Sequence, residues 1–215
     1  MFKCIAGLTV AGLFLVAATA AHLDKVQGTP VLGPDVTAPE VCRVRLATSQ
    51  GPIVLEMRRA WAPHGADRFY TLVRAGFFDG ARFFRFRART WAQFGIPADP
   101  AVAQAWRPRT MPDDPLNEPN VRGTVAYAFK DPNGRTTQMF INLADNRATH
   151  DKEFVPFARV VEGMEVADAL YDEYGERAGG GIRGGKQDAL FAEGNAYLLR
   201  EFPKLDYIKT ATVVR

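Results

Sequence analysis

Two cysteines, three histidines and a net charge of only +3 in 215 residues leave several kinds of chemistry without material. Cys4 and Cys42 cannot build a disulfide framework. His22, His64 and His150 stand too far apart to carry a metal-ligand spacing. No serine or cysteine triad and no paired acidic cluster stands out, and no internal repeat is visible. A charge of +3 is too small to point to nucleic acid by itself. With 47% hydrophobic and 24% charged residues, the chain has the material for one ordinary domain with a full core.

What is there begins with a leader. "MFK" gives a short positive start, and "CIAGLTVAGLFLVAATA" runs on without a charge. Ala18-Thr19-Ala20 has the A-x-A cleavage pattern, so residues 1–21 read as a secretory signal peptide. The apolar run is short for a membrane span, and cleavage is preferred to an anchor. No cysteine follows the run, which speaks against a lipoprotein reading. The mature chain keeps Cys42 alone, and an unpaired thiol in an oxidising compartment is safest buried. The expected location is secreted or periplasmic.

Residues 22–40 are rich in Gly and Pro and read as a linker, leaving 41–215 as the domain. Within the domain, 41–58 alternates as a hairpin around "QGP". Ala66, Phe69, Leu72 and Val73 sit at helical spacing before Gly76. Strands are expected in "WAQFGI", "GTVAYAFK", "TQMFINL", "FVPFARVV" and "YIKTATVV". Helices are expected in "GMEVADALYDEY" and around "GNAYLLREF". The proline-bearing stretch 97–122 reads as mostly irregular. Many strands with two or three helices predict a closed β-barrel capped by helices.

Two glycine patterns in "GGGIRGGKQ", residues 179–187, look like phosphate-binding loops. Both need a strand before them and a helix after, and here a helix precedes them. Gln187 also stands where Ser or Thr must hold magnesium. The segment is expected to be a mobile loop that binds no nucleotide.

The stretch "RFFRFRART", residues 82–90, interleaves aromatics with four arginines. On a strand, Phe84 and Phe86 share one face, while Phe83 shares the other with Arg85 and Arg87. A solvated strand face, a nucleic-acid stripe and the wall of a cleft all fit that pattern. Arg82, Arg87 and Arg89 read as surface charges.

Six segments, in order, bring a family resemblance. They are "TSQGPIVLEM", "AGFFDGARFFR", "WAQFGI", "RGTVAYA", "TTQMFINL" and "FVPFARVVEGMEVADAL". Together they resemble the cyclophilin-type peptidyl-prolyl cis-trans isomerases from about Val41 to Leu170. The resemblance implies a mostly β fold, a closed eight-stranded antiparallel cyclophilin-like barrel with two to three helices, and catalysed rotation of X-Pro bonds. It places Arg85 on the catalytic arginine and Gln138 on the second catalytic side chain. Gln93 and Phe140 fall on the cleft glutamine and the floor of the proline pocket. Ala128 and Phe129 fall on the groove that holds the substrate chain. Thr90 and Trp91 occupy the positions of a pocket phenylalanine and its apolar neighbour, and Thr149 that of a pocket leucine. His150 replaces an aspartate, and Phe84 a histidine. Period two lets only one of Met139 and Phe140 face the cleft, and Phe140 is the expected one.

This chemistry suits a chain without triads. Amide resonance sets a barrier of about 18–20 kcal/mol. Rotation makes no bond to substrate, so neither metal nor cofactor is expected. Only tighter binding of the twisted amide is needed. A twisted prolyl nitrogen regains a lone pair, and an arginine can donate to it at any relevant pH. The expected partners are proline-containing polypeptides. Nucleic acid and lasting membrane insertion are not expected, and the protein is read as a monomer. A peptide-binding module of little or no activity on the same barrel is the alternative, since Thr90 and Thr149 remove apolar pocket surface.

N-terminal sequencing of the exported protein tests the leader. The expected first residue is Ala21 or His22; a start at Met1 on membrane-bound material would show an anchor instead.

Overall fold

The computed structural model describes residues 33–182 and 186–214. The expected signal peptide, most of the linker and residues 183–185 of the glycine loop lie outside the described residues. The chain forms β1 (Val41–Thr48), β2 (Pro52–Arg58), α1 (Pro63–Arg74), β3 (Arg85–Arg87) and β4 (Trp91–Phe94). It continues through α2 (Pro100–Trp106), β5 (Thr124–Tyr127), β6 (Met139–Asn142), α3 (Arg147–His150) and β7 (Pro156–Glu162). Then come α4 (Met164–Asp168), α5 (Asp188–Glu193), α6 (Asn195–Glu201) and β8 (Ile208–Val214).

The eight strands form one antiparallel sheet in the order β3-β4-β6-β5-β7-β2-β1-β8. The sheet curls until its two edges meet. An isolated bridge between Arg82 and Tyr207 joins them, with Phe83 N donating to Asp206 O at 3.0 Å. Along β1 the alternation is plain: Cys42, Val44 and Leu46 are buried, while Val41 and Arg43 are exposed. The buried face of α1 is the expected one, with Ala66, Phe69, Leu72 and Val73 against the barrel.

Several local expectations change. The strand in "RFFRFRART" starts only at Arg85, so strict alternation does not reach back to Phe83. Phe83, Phe84 and Phe86 are all buried. Phe83 and Phe86 enter the main core, whereas Phe84 enters a second one with Ile96, Ala178, Leu190, Phe191, Leu198 and Leu205. Arg82 is buried rather than a surface charge; its Nη1 donates to Leu205 O, and its guanidinium stacks on Tyr207. The stretch 97–122 holds α2, capped by Asp99 accepting from Ala101 N at 2.8 Å. Among the described residues there are six helices, because short α2, α3 and α5 lack the length to show a helical period. The end of the linker is packed, not free. Ala38 N donates to Asp67, and Asp35 pairs with the buried Arg68.

One glycine sets where two strands meet at the cleft. Gly95 follows β4 with φ +104°, and a Cβ there would overlap Thr137 O and lie 2.9 Å from Gln138 Cα. Thr137 Oγ1 also donates to Gly95 O at 2.8 Å. Gly95→Ala is therefore expected to destabilise the fold by about 2–4 kcal/mol through left-handed strain and backbone overlap. Denaturant unfolding checks this; a loss under about 0.5 kcal/mol, the range of ordinary surface changes, would contradict it.

Candidate active site

Strand register builds the site. Arg85 in β3 pairs with Gln93 in β4, Gln93 pairs with Phe140 in β6, and Phe140 pairs with Ala126 in β5. Directly paired residues share a face. Four strands therefore set a cation, an amide, a ring and a small side chain in one row. One step along, Ala128 N donates to Gln138 O at 2.9 Å and ties the next groove residue to the next glutamine.

The polar half of the site is a directed chain. Arg85 Nη1 donates to Gln93 Oε1 at 2.9 Å. Gln93 Nε2 donates to Gln138 Oε1 at 2.8 Å, and Gln138 Nε2 donates to Gln187 Oε1 at 3.0 Å. Arg85, Gln93 and Gln138 pass their donors the same way, and Gln187 Nε2 ends the line by donating back to Gln138 Oε1 at 3.3 Å and to Gly179 O at 3.2 Å, so the bonds polarise one another. The Arg85 guanidinium also donates from Nε to Gly181 O, pairs through Nη2 with Glu176, and lies 4.7 Å from the centre of the Trp91 ring.

The apolar half is a cavity of about 610 Å³ beside that cation. Trp91, Phe140, Phe154, Phe129 and His150 give it ring surface, and Ala128 keeps one wall low. Phe140 meets His150 at 5.3 Å and Phe154 at 5.2 Å, both edge-on. Met139, the neighbour of Phe140, turns into the main core. A second cavity of about 500 Å³ shares Arg85, Gln93, Ala128 and Phe129 and extends past Gln138 to Gln187 and Phe191.

Arg85, Gln93, Trp91, Phe140, Ala128 and Phe129 are thus brought together, with Gln138 lining the second cavity. Thr90 and Thr149 are not. The Thr90 hydroxyl turns back to Ala88 O, and Thr149 is exposed on α3 with its hydroxyl on Asn146 O. Sequence reasoning did not place Phe154, Glu176 or Gln187 in the site. Phe154 looks like any residue leading into a strand. Glu176 lies where no motif marks it, and Gln187 stands out only as the residue that spoils a phosphate-loop pattern.

His150 takes a defined tautomer. Asn142 Nδ2 donates to Asn120 and Thr124, so its Oδ1 faces the imidazole and accepts from Nδ1–H at 3.1 Å. Burial first, and the nearby Arg87 charge second, hold the His150 pKa below its ordinary 6.5. The ring is therefore neutral at neutral pH and behaves as cavity wall.

This arrangement offers a cavity walled by rings with a permanent donor beside it. The family model for "cyclophilin type peptidyl-prolyl cis-trans isomerase/CLD" matches residues 43–180. Peptidyl-prolyl cis-trans isomerase A of Dickeya dadantii is 31% identical over 151 residues, covering 68% of this chain and 80% of that protein. An isomerase of Streptomyces antibioticus is 36% identical over 137 residues, covering 59% of this chain and 81% of its own. A cyclophilin-type isomerase structure from Cryptosporidium parvum superposes with a TM-score of 0.61 at 18% identity, covering 81% of this chain and 98% of its own, which speaks for the fold. With the family model matching well over half of its length, this chain belongs to the cyclophilin-type peptidyl-prolyl cis-trans isomerases.

Proposed function

We propose that this isomerase acts on X-Pro bonds of exported polypeptides, with Arg85 as the donor to the twisted amide. The observation that carries the site assignment is the row Arg85–Gln93–Phe140, a largely buried cation set beside a ring-walled cavity. The proline ring fits the cavity of Trp91, Phe140, Phe154 and His150. Its surroundings lower the local dielectric and strengthen the guanidinium's hydrogen bonds. As the amide twists, conjugation is lost and the prolyl nitrogen accepts an N–H from Arg85. Gln138 Nε2 carries two hydrogens; one serves Gln187, and the other is available to a carbonyl of the bound chain. A structure of the Cryptosporidium parvum relative was determined in the presence of the dipeptide Ala-Pro, in keeping with such a ligand here. Export rests on the leader pattern of residues 1–21, which makes secreted or periplasmic polypeptides the clients.

Arg85→Ala should remove an interaction made mainly in the transition state. The expected loss is about 1.5–3 kcal/mol, or roughly ten- to a hundredfold in turnover, with peptide binding nearly unchanged. Arg85→Lys is expected to recover only part of it, because an ammonium cannot copy the planar fork. Catalysed cis/trans exchange of a proline tetrapeptide, measured beside its binding, decides this. A folded Arg85→Ala protein that isomerises at the parent rate would refute the assignment.

The depressed pKa of His150 gives the pH dependence a sign. Above 6.5 the ring is neutral in both folded and unfolded chains, and the cavity keeps its apolar wall. As pH falls below 6.5, the unfolded chain takes up the proton first, so folded stability drops. Once the folded ring is protonated, the cavity gains a charge and peptide binding weakens. His150→Phe should flatten that part of the binding profile; an unchanged acid limb would show that another group causes it.

A further inference from the structure

Arg85 is an unbranched side chain with four rotatable bonds, and a donor to a transient lone pair must already be aimed when the amide twists. Its stem is confined by close approach. A Cβ on Gly179 would lie 2.5 Å from Arg85 Cβ and 2.7 Å from its Cδ, so only a bare backbone lets the stem pass. Its face is covered by Trp91, and Nε and Nη1 have the neutral acceptors Gly181 O and Gln93 Oε1. Its charged hydrogen-bond partner is Glu176, bound at Nη2. The pair is well shielded, with 13% and 27% of the two side chains exposed.

Glu176 is itself firmly placed. Phe86 N donates to Gly175 O at 3.0 Å, which ties the preceding residue to the middle of β3. The Glu176 carbonyl accepts from Gly179 N and Gly181 N, forming the turn that brings Gly181 O onto Arg85. Ala178 is buried in the second core beside Phe84, with Tyr174 packed against it. The segment that carries Glu176 is thus fixed to the strand that carries Arg85.

We propose that Glu176 is a positioning residue for the isomerisation: its carboxylate holds the Arg85 guanidinium in the orientation that presents donors to the twisted amide. This rests on the reading of Arg85 as the reacting donor. The count of hydrogens supports holding rather than blocking. A guanidinium has five N–H groups, and Glu176, Gln93 and Gly181 take three. One N–H remains on each terminal nitrogen. A charge-assisted bond is about twice as strong as a neutral one, so the carboxylate dominates the aim of the fork.

The test is a cycle of Glu176→Ala, Glu176→Gln, Arg85→Ala and the double variant Arg85→Ala with Glu176→Ala. Each is assayed for turnover and for binding of the same proline tetrapeptide. Glu176→Ala is expected to lower kcat about five- to twentyfold while KM and the peptide Kd stay within about twofold. Glu176→Gln keeps an acceptor oxygen without the charge and should fall between the two. In the Arg85→Ala background, Glu176→Ala should add nothing. Nitrogen-15 NMR gives a readout independent of activity. The Arg85 Nε–H resonance should be sharp in the parent, weaker in Glu176→Gln and averaged out in Glu176→Ala. If Glu176→Ala fails to fold, Glu176→Gln and its NMR signal decide the matter alone. Parent-like or faster turnover in Glu176→Ala or Glu176→Gln would overturn the proposal, the faster case showing that Glu176 blocks the cleft. So would an equal loss in the Arg85→Ala background. Parent-like turnover in Arg85→Ala itself would mark the failure of the Arg85 reading, on a separate sample.

Discussion

A guanidinium that cannot shed its charge sits almost out of water, and the site is arranged around that constraint. Desolvating an ion costs several kcal/mol unless its donors find partners. Arg85 meets the cost with an amide, a carbonyl, a carboxylate and the face of an indole. The partners come from β4, from the segment after α4 and from the turn at Gly179–Gly181. Parts of the chain about a hundred residues apart must all be in place before the cation is tolerable. The same requirement leaves it strongly directed, which suits a reaction that binds charge only fleetingly.

The row Arg85–Gln93–Phe140 depends on backbone approach as much as on side chains. Gly95 lets β4 run against Thr137 and Gln138, and that contact brings Gln93 within 2.8 Å of Gln138. Gly179 lets the Arg85 stem pass under a tight turn. Gly179 was one of the glycines that imitate a nucleotide-binding pattern. Its physical work is to leave room for an arginine, and no phosphate is needed to account for it.

A second core explains a change in the strand beside the arginine. Where the family resemblance expects a histidine, Phe84 is buried and packs with Leu190, Phe191, Leu198 and Leu205. These lie on and beside α5 and α6, past the end of the family match at residue 180. Phe84 and Arg85 are neighbours on the chain. Packing the tail onto the first therefore helps bring the tail's Gln187 and Glu176 to the polar line that starts at the second.

Much of this was legible in the sequence, for physical reasons. Period-two alternation gave the hairpin 41–58, and helical spacing gave α1, because each buries one face against a single core. Ordered motif segments singled out Arg85, Gln93, Gln138 and Phe140, since their spacing is locked to strand register. Other features had no local signature. Thr90 and Thr149 looked like pocket positions, but one hydroxyl bonds back within its turn and the other is exposed on α3. The burial of Arg82 depends on the edges of the curled sheet meeting at Tyr207. The pairing of Glu176 with Arg85 joins residues 91 apart in sequence. The chain by itself determined the kind of chemistry to look for, because it offers no nucleophile cluster and its ordered segments resemble a family that needs none. Only the tertiary structure decided which distant carboxylate and amides aim that arginine, because such partners are chosen by folding of the tail onto the barrel and not by any local pattern.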